Sequence, residues 1–165
     1  MAIAVTHISA ATASLVWMSI EWIKFGRPSV VGMVTGTIAG LATITPASGF
    51  VGPQGALVLG VAGAVICFYS IQFVKFKLKI DDSLDVFAVH GVGGIFGTLM
   101  IALFGLDTWT AQLGGLVIVG IFTAVVTFVL IKVVALMTPL RVDAETETNG
   151  LDLSVHGERA YDMSS

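Results

Sequence analysis

The sequence predicts an all-α fold, a polytopic bundle of membrane helices, and three observations carry that prediction. Of 165 residues, 56% are hydrophobic and 12% charged, with a mean hydropathy of +0.96, more apolar side chain than a soluble core of ordinary size can hide. Apolar runs at 3–23, 29–48, 55–75, 84–105 and 112–138 each approach the roughly 20 residues that a bilayer core requires. Short connections join them and leave no room for a soluble domain. The basic residues fall in alternate connections only: Lys24 and Arg27, then Lys75, Lys77 and Lys79, then Lys132, Arg141 and Arg159. By the positive-inside rule this places the N-terminus outside and the C-terminus inside. Residues 1–139 are therefore read as a five-span membrane region and 140–165 as a cytoplasmic tail.

The first run begins without a basic region or cleavage site, so it is read as retained rather than as a secretory signal. Thr6, His7, Ser9, Thr12, Ser14 and Ser19 make it too polar to face lipid all round. His7, near the outer end, fits an interfacial histidine touching water or headgroups, with a transport role as the alternative. Glu21 and Trp22 fall at the inner boundary, where a carboxylate stays hydrated and an indole anchors the helix. In the second run Gly32, Gly36 and Gly40 recur every four residues, a stripe that lets a neighbouring backbone approach. Thr45-Pro46-Ala47-Ser48-Gly49 ends it, because proline lacks an amide donor.

The third run, with Gly60 and Gly63, reads as a packed span, and Lys75-Phe76-Lys77-Leu78-Lys79 as a cytoplasmic interface rather than a nucleic-acid site. Cys67 is the sole cysteine. Without a partner or an electropositive setting it reads as packing, which excludes an intrachain disulfide or a CxxC site. No metal-spaced His/Cys cluster, phosphate loop or nucleophile and base pair is visible, so the sequence does not read as an enzyme and implies no cofactor and no metal.

The fourth run carries the chemistry. Asp82 and Asp85, three positions apart, suit a helix N-terminus, whose free amides and dipole they complement. His90 lies eight residues past Asp82, roughly 12 Å into a core about 30 Å thick. An ionisable group at that depth is expensive and is a functional candidate by default. Gly91, Gly93, Gly94 and Gly97 remove bulk beside it, which permits close helix packing or a narrow passage lined by the ring. Composition alone leaves a satisfied core histidine and a pore histidine both standing. The fifth run is longer than a perpendicular span needs and is expected to tilt, with Lys132 snorkelling. Beyond Pro139 the acid-rich sequence reads as a solvated, flexible tail.

The stretch Asp81-Asp82-Ser83-Leu84-Asp85-Val86-Phe87-Ala88-Val89-His90-Gly91-Val92-Gly93-Gly94 closely resembles the signature of the ammonium transporter family of bacterial and plant type. The tail residues Gly150, Leu151, Asp152, His156, Gly157, Glu158, Ala160 and Tyr161 look like that family's cytoplasmic ending. Glu21-Trp22 with Arg27-Pro28-Ser29, and Gly36 through Gly49, match in the same order. The resemblance covers essentially the whole chain. It implies eleven helices, ten of them forming two inverted five-helix repeats about a hydrophobic pore, assembled as homotrimers in the plasma or inner membrane. Two pore histidines, one from each repeat, share a hydrogen bond.

By match, His90 resembles the second-repeat histidine, Asp82 the carboxylate near the inner end of its helix, and Asp85 the acidic residue two positions before Phe87. These four form the expected pore or substrate set. The match implies a C-terminal half beginning at the family's seventh helix, without the first repeat, the partner histidine or the outer recruitment site. The implied activity is conduction of ammonia or ammonium past His90. The alternatives are a non-conducting fragment that acts through its tail and a Rhesus-type gas channel. The tail's resemblance further implies a PII-type signalling protein as a cytoplasmic partner.

Overall fold

The computed structural model describes residues 1–158; the tail positions Ala160 and Tyr161 lie outside the described residues. Six α-helices follow one another: α1 (Ala2–Phe25), α2 (Val30–Ile44), α3 (Pro53–Gln72), α4 (Val92–Leu103), α5 (Trp109–Ala135) and α6 (Ala144–Asn149). No strand occurs among the described residues. The chain divides into two compact units, Met1–Ile118 and a second beginning at Val119.

In the first unit, each helix end has a local cause. α1 stops at Gly26, whose φ of 76° is costly for any residue with a Cβ and whose amide donates to the Trp22 carbonyl. α2 starts at Ser29, where the hydroxyl accepts from Gly32 N at 2.8 Å. It ends in the 3₁₀ turn Thr45–Ala47 around Pro46. Pro53 opens α3, where its missing amide costs nothing. The end of α3 loosens into a π-helical turn, Phe73–Lys77.

α1, α2 and α3 pack closely because small residues face backbone. A Cβ added at Gly40 would fall 2.5 Å from the Ser9 carbonyl oxygen, and one at Gly60 would fall 2.7 Å from the same atom. The Ser9 hydroxyl donates to the Gly40 carbonyl at 3.0 Å, so this buried polar side chain is satisfied across the helix pair. α4 docks through Gly97, where a Cβ would run into the Thr43 carbonyl. Two apolar clusters fill the space between. Val5, Ile44, Leu59 and Met100 lie in one, and Ala13, Trp17, Cys67, Phe68 and Val89 in the other. Trp17 and Phe68 meet edge to face, with ring centroids 5.1 Å apart.

Among the described residues, four helical segments are long and apolar enough to cross a membrane: Ala2–Phe25, Val30–Ala47, Pro53–Lys77 and Trp109–Met137. The helical stretch Phe87–Leu103 is shorter. Leu84 to Val86, the start of the apolar run in sequence, fall in the turn and cap that precede it instead. α5 has no buried residue along its length of about 40 Å.

The second unit contains α6, preceded by Asp143 as N-cap and followed by a π-helical turn, Asp152–His156. The acid-rich tail is mostly exposed as far as Glu158 but carries these short helical turns. Asp143 accepts from the Thr146 amide at 2.9 Å, and Arg141 pairs with Glu147 through both guanidinium nitrogens that face it. These local bonds cap and brace a short helix that has no buried residue.

Candidate functional site

The site is built on the connection between the π turn that ends α3 and the helix that carries His90. Two non-glycine residues in it take left-handed conformations, Lys79 (φ 55°) and Asp85 (φ 58°). Aspartate tolerates that region better than most residues. Asp82 then caps the helix that follows. Its Oδ1 accepts from Val86 N at 2.8 Å, and its Oδ2 accepts from Phe87 N and Ala88 N at 3.0 and 3.2 Å. One carboxylate thus satisfies three of the amides that a helix start leaves open, with its charge at the positive end of the dipole.

The first turn of this helix is π-helical, Phe87–Gly91, with the Val92 amide reaching back to the Phe87 carbonyl. Such single turns are uncommon and recur at functional sites. The turn sorts its side chains. Ala88 and Val89 are buried, whereas Phe87 and His90 are exposed. Phe87 is 53% exposed, and its ring lies alongside Gly91, 3.0 Å from where a Cβ would be. Of the two readings left open for His90, a satisfied core histidine does not describe this chain: the ring is exposed on its surface and has no hydrogen-bond partner among the described residues.

Behind the turn, the Cys67 thiol lies 3.7 Å from the Val89 carbonyl, which it can reach as a weak donor. Cys67 and Thr43 also flank Gly93, at 3.2 and 3.3 Å from a would-be Cβ, while Gly94 has nothing within 4 Å. Asp85 does not cap. Its carboxylate pairs with Lys75 at 2.8 Å. Sequence reasoning grouped Lys75 with the interfacial lysines and missed this pair; the only available signal was a lysine and an aspartate at the two ends of one short connection.

Glu21, expected at a boundary where a carboxylate stays hydrated, is half-buried and also has partners within the chain. It accepts from the Ser29 amide at 2.7 Å and from the Ser29 hydroxyl. The Trp17 indole donates to it at 3.3 Å. Gly32 leaves room for this carboxylate, which a Cβ there would strike. Gly36 faces the Trp17 side chain and Gly40 the α1 backbone.

His7 is exposed near the start of α1, and His156 is exposed in the last π turn. No group of three or more His, Cys, Asp or Glu side chains that could hold a metal ion occurs among the described residues. Gly150 (φ 92°) and Gly157 (φ 68°) each turn the tail backbone where another residue would be strained. Leu151, Asp152 and Glu158 are exposed.

Helices of this length and hydropathy, with small residues at their crossings, define a multi-pass membrane protein. Residues 1–161 match the Ammonium Transporter Family, and the chain belongs to that family. It is 44% identical to ammonium transporter Amt1 of Archaeoglobus fulgidus, over 97% of this chain and 44% of that protein. It is 38% identical to an ammonium transporter of Bacillus subtilis, over 94% of this chain and 43% of that protein. Among solved structures, Candida albicans Mep2 superposes with a TM-score of 0.71 at 34% identity, covering 78% of this chain and 33% of Mep2. The chain thus spans less than half the length of the curated relatives it matches.

Proposed function

We propose that the chain forms part of an ammonium transporter, and that ammonia or ammonium passes the outward side of the Phe87–Gly91 turn with His90 lining the path. The observation that carries this reading is an exposed imidazole, without a partner among the described residues, on an otherwise apolar membrane helix. Such a ring needs a donor or acceptor, which a substrate or a second imidazole supplies. Carrying a charge through an apolar passage costs several kcal/mol or more. Passing neutral ammonia and relaying the proton separately lowers that cost, and imidazole can donate at one nitrogen while accepting at the other. In this reading Asp82 and Asp85 shape the turn and Phe87 borders the path.

In this reading the second imidazole comes from the other repeat that the family resemblance implies. Homotrimeric assembly, an outside N-terminus and an inside C-terminus belong to the same proposal; the one-sided Lys and Arg distribution supports the orientation. The test is a chimera in which this chain replaces the matching C-terminal part of the Archaeoglobus fulgidus transporter. We expect methylammonium uptake and ammonium-dependent current, with His90→Ala removing or altering them. Unchanged current and selectivity in that variant would reject the assignment.

The tail from Gly150 onward is proposed to bind a PII-type signalling protein from the cytoplasmic side, supported by its resemblance to the family's ending. A peptide of residues 139–165 is expected to retain such a protein in a pull-down, and absence of binding counts against the assignment.

A further inference from the structure

We infer that Lys75 is a positioning residue for His90, acting through its ion pair with Asp85. The two π turns of the first unit, Phe73–Lys77 and Phe87–Gly91, stand at opposite ends of one connection, and this pair bridges them at 2.8 Å. Both side chains are mostly shielded, at 30% and 20% exposure. Asp85 Oδ1 is itself inaccessible and, among the described residues, has no hydrogen-bond partner other than the Lys75 ammonium that meets it. Removing the ammonium leaves a shielded carboxylate oxygen uncompensated, which is the costly way to break such a pair.

The backbone of Asp85 explains why this matters to His90. Its amide donates to the Asp82 carbonyl at 3.1 Å, and its own carbonyl accepts from Val89 N at 2.8 Å. Asp85 therefore stands between the residue that caps the helix and the residue that precedes His90, and it does so in a left-handed conformation. Lys75 holds the other end firmly. Its neighbour Val74 is buried, and its turn is closed by Leu78 N on the Phe73 carbonyl and Ile80 N on the Val74 carbonyl. If Asp85 swings away to regain water, the left-handed geometry loses its tether, and the π turn can relax to ordinary α-helix. Since one residue corresponds to about 100° around a helix, a register change in that turn carries the imidazole off its present face.

This inference gives Asp85 a geometric role with its carboxylate occupied by the chain itself, in place of contact with substrate. Its functional weight rests on the reading of His90 as the working side chain. The experiment reads geometry alone, so its failure leaves that reading standing.

The test uses the 165-residue chain in lipid nanodiscs, with amide hydrogen exchange resolved over residues 86–91 and labelled histidine rings followed by NMR. Lys75→Met and Asp85→Asn, the latter keeping a residue at ease in the left-handed region, are each expected to speed exchange of these amides about 5-fold. The double variant is expected to add nothing further. Lys75→Arg restores exchange to within about 2-fold of the parent, and the His90 resonances move and return with it while those of His7 and His156 stay fixed. The inference is overturned if Lys75→Met leaves residues 86–91 and the His90 ring unchanged, if the two single effects add, or if Lys75→Arg fails to rescue. Should Lys75→Met not fold, Asp85→Asn against Lys75→Arg decides by the same readouts.

Discussion

The Glu21 carboxylate accepts both the amide and the hydroxyl of Ser29, so one side chain ties the C-terminal end of α1 to the first residue of the α2 cap. Ser29 in turn caps Gly32. Ser29→Ala removes the cap and one arm of the clamp and is expected to cost about 1 kcal/mol. Glu21→Ala should cost more, because it leaves the Trp17 indole and the Ser29 amide without acceptors. Denaturant unfolding of the reconstituted chain should show the two changes to be non-additive, as expected for groups sharing one hydrogen-bond network.

Asp82 offers a sharper test of the site. Asp82→Ala frees the amides of Val86, Phe87 and Ala88 and should destabilise that helix start by about 1–2 kcal/mol. Asp82→Asn keeps an acceptor and should fall between the variant and the parent. Amide exchange over residues 86–88 measures both. In the chimera, methylammonium uptake should follow the same order, parent above Asn above Ala.

Two neighbouring glycines should respond with opposite sign. An alanine at Gly97 drives its methyl into the Thr43 backbone carbonyl, where nothing flexible can yield, and is expected to destabilise the chain by about 1–3 kcal/mol. At Gly94 nothing lies within 4 Å, and alanine should be neutral or add up to about 1 kcal/mol of helix stability. Thermal unfolding of the two variants against the parent, followed by circular dichroism, checks the contrast.

The tail should respond to acid. Glu147 is held below its ordinary range by its hydrogen bonds to Arg141 and by that guanidinium's charge. Asp143 is held below its own range by the Thr146 amide and hydroxyl. Folded values lower than unfolded ones mean that these contacts support α6 fully above the ordinary carboxylate range near 4. That support is lost as pH falls through the depressed folded values. Carboxyl NMR titration of the tail should report both depressions, and Arg141→Ala should return Glu147 toward its ordinary value while leaving Asp143 in place.

Much of the fold was legible because apolar length and helix punctuation are local properties. Pro46, Gly26 and Ser29 act where they stand, and the Asp82 cap follows from a carboxylate just before an apolar run. The π turn at His90 was not legible, since an extra residue per turn is stabilised by what packs behind it, here Cys67 and Thr43 around Gly93. For His90 the depth along the helix could be counted, but the choice between core and pore could not be made from composition, because burial depends on neighbours. The engagement of Glu21 and Lys75 was missed because each was read from its own segment, as a boundary carboxylate and an interfacial lysine, while their partners lie on the next element.

The meeting of Gly40 and Gly60 on a single atom, the Ser9 carbonyl oxygen, has a mechanical consequence. A slide of α2 or α3 along α1 by one residue would bring a side chain to a place where no Cβ fits. The three helices are therefore locked in axial register, like keyed shafts, and can shift only together. The connection from Lys75 to Asp85 has no such key and is held instead by a single ion pair.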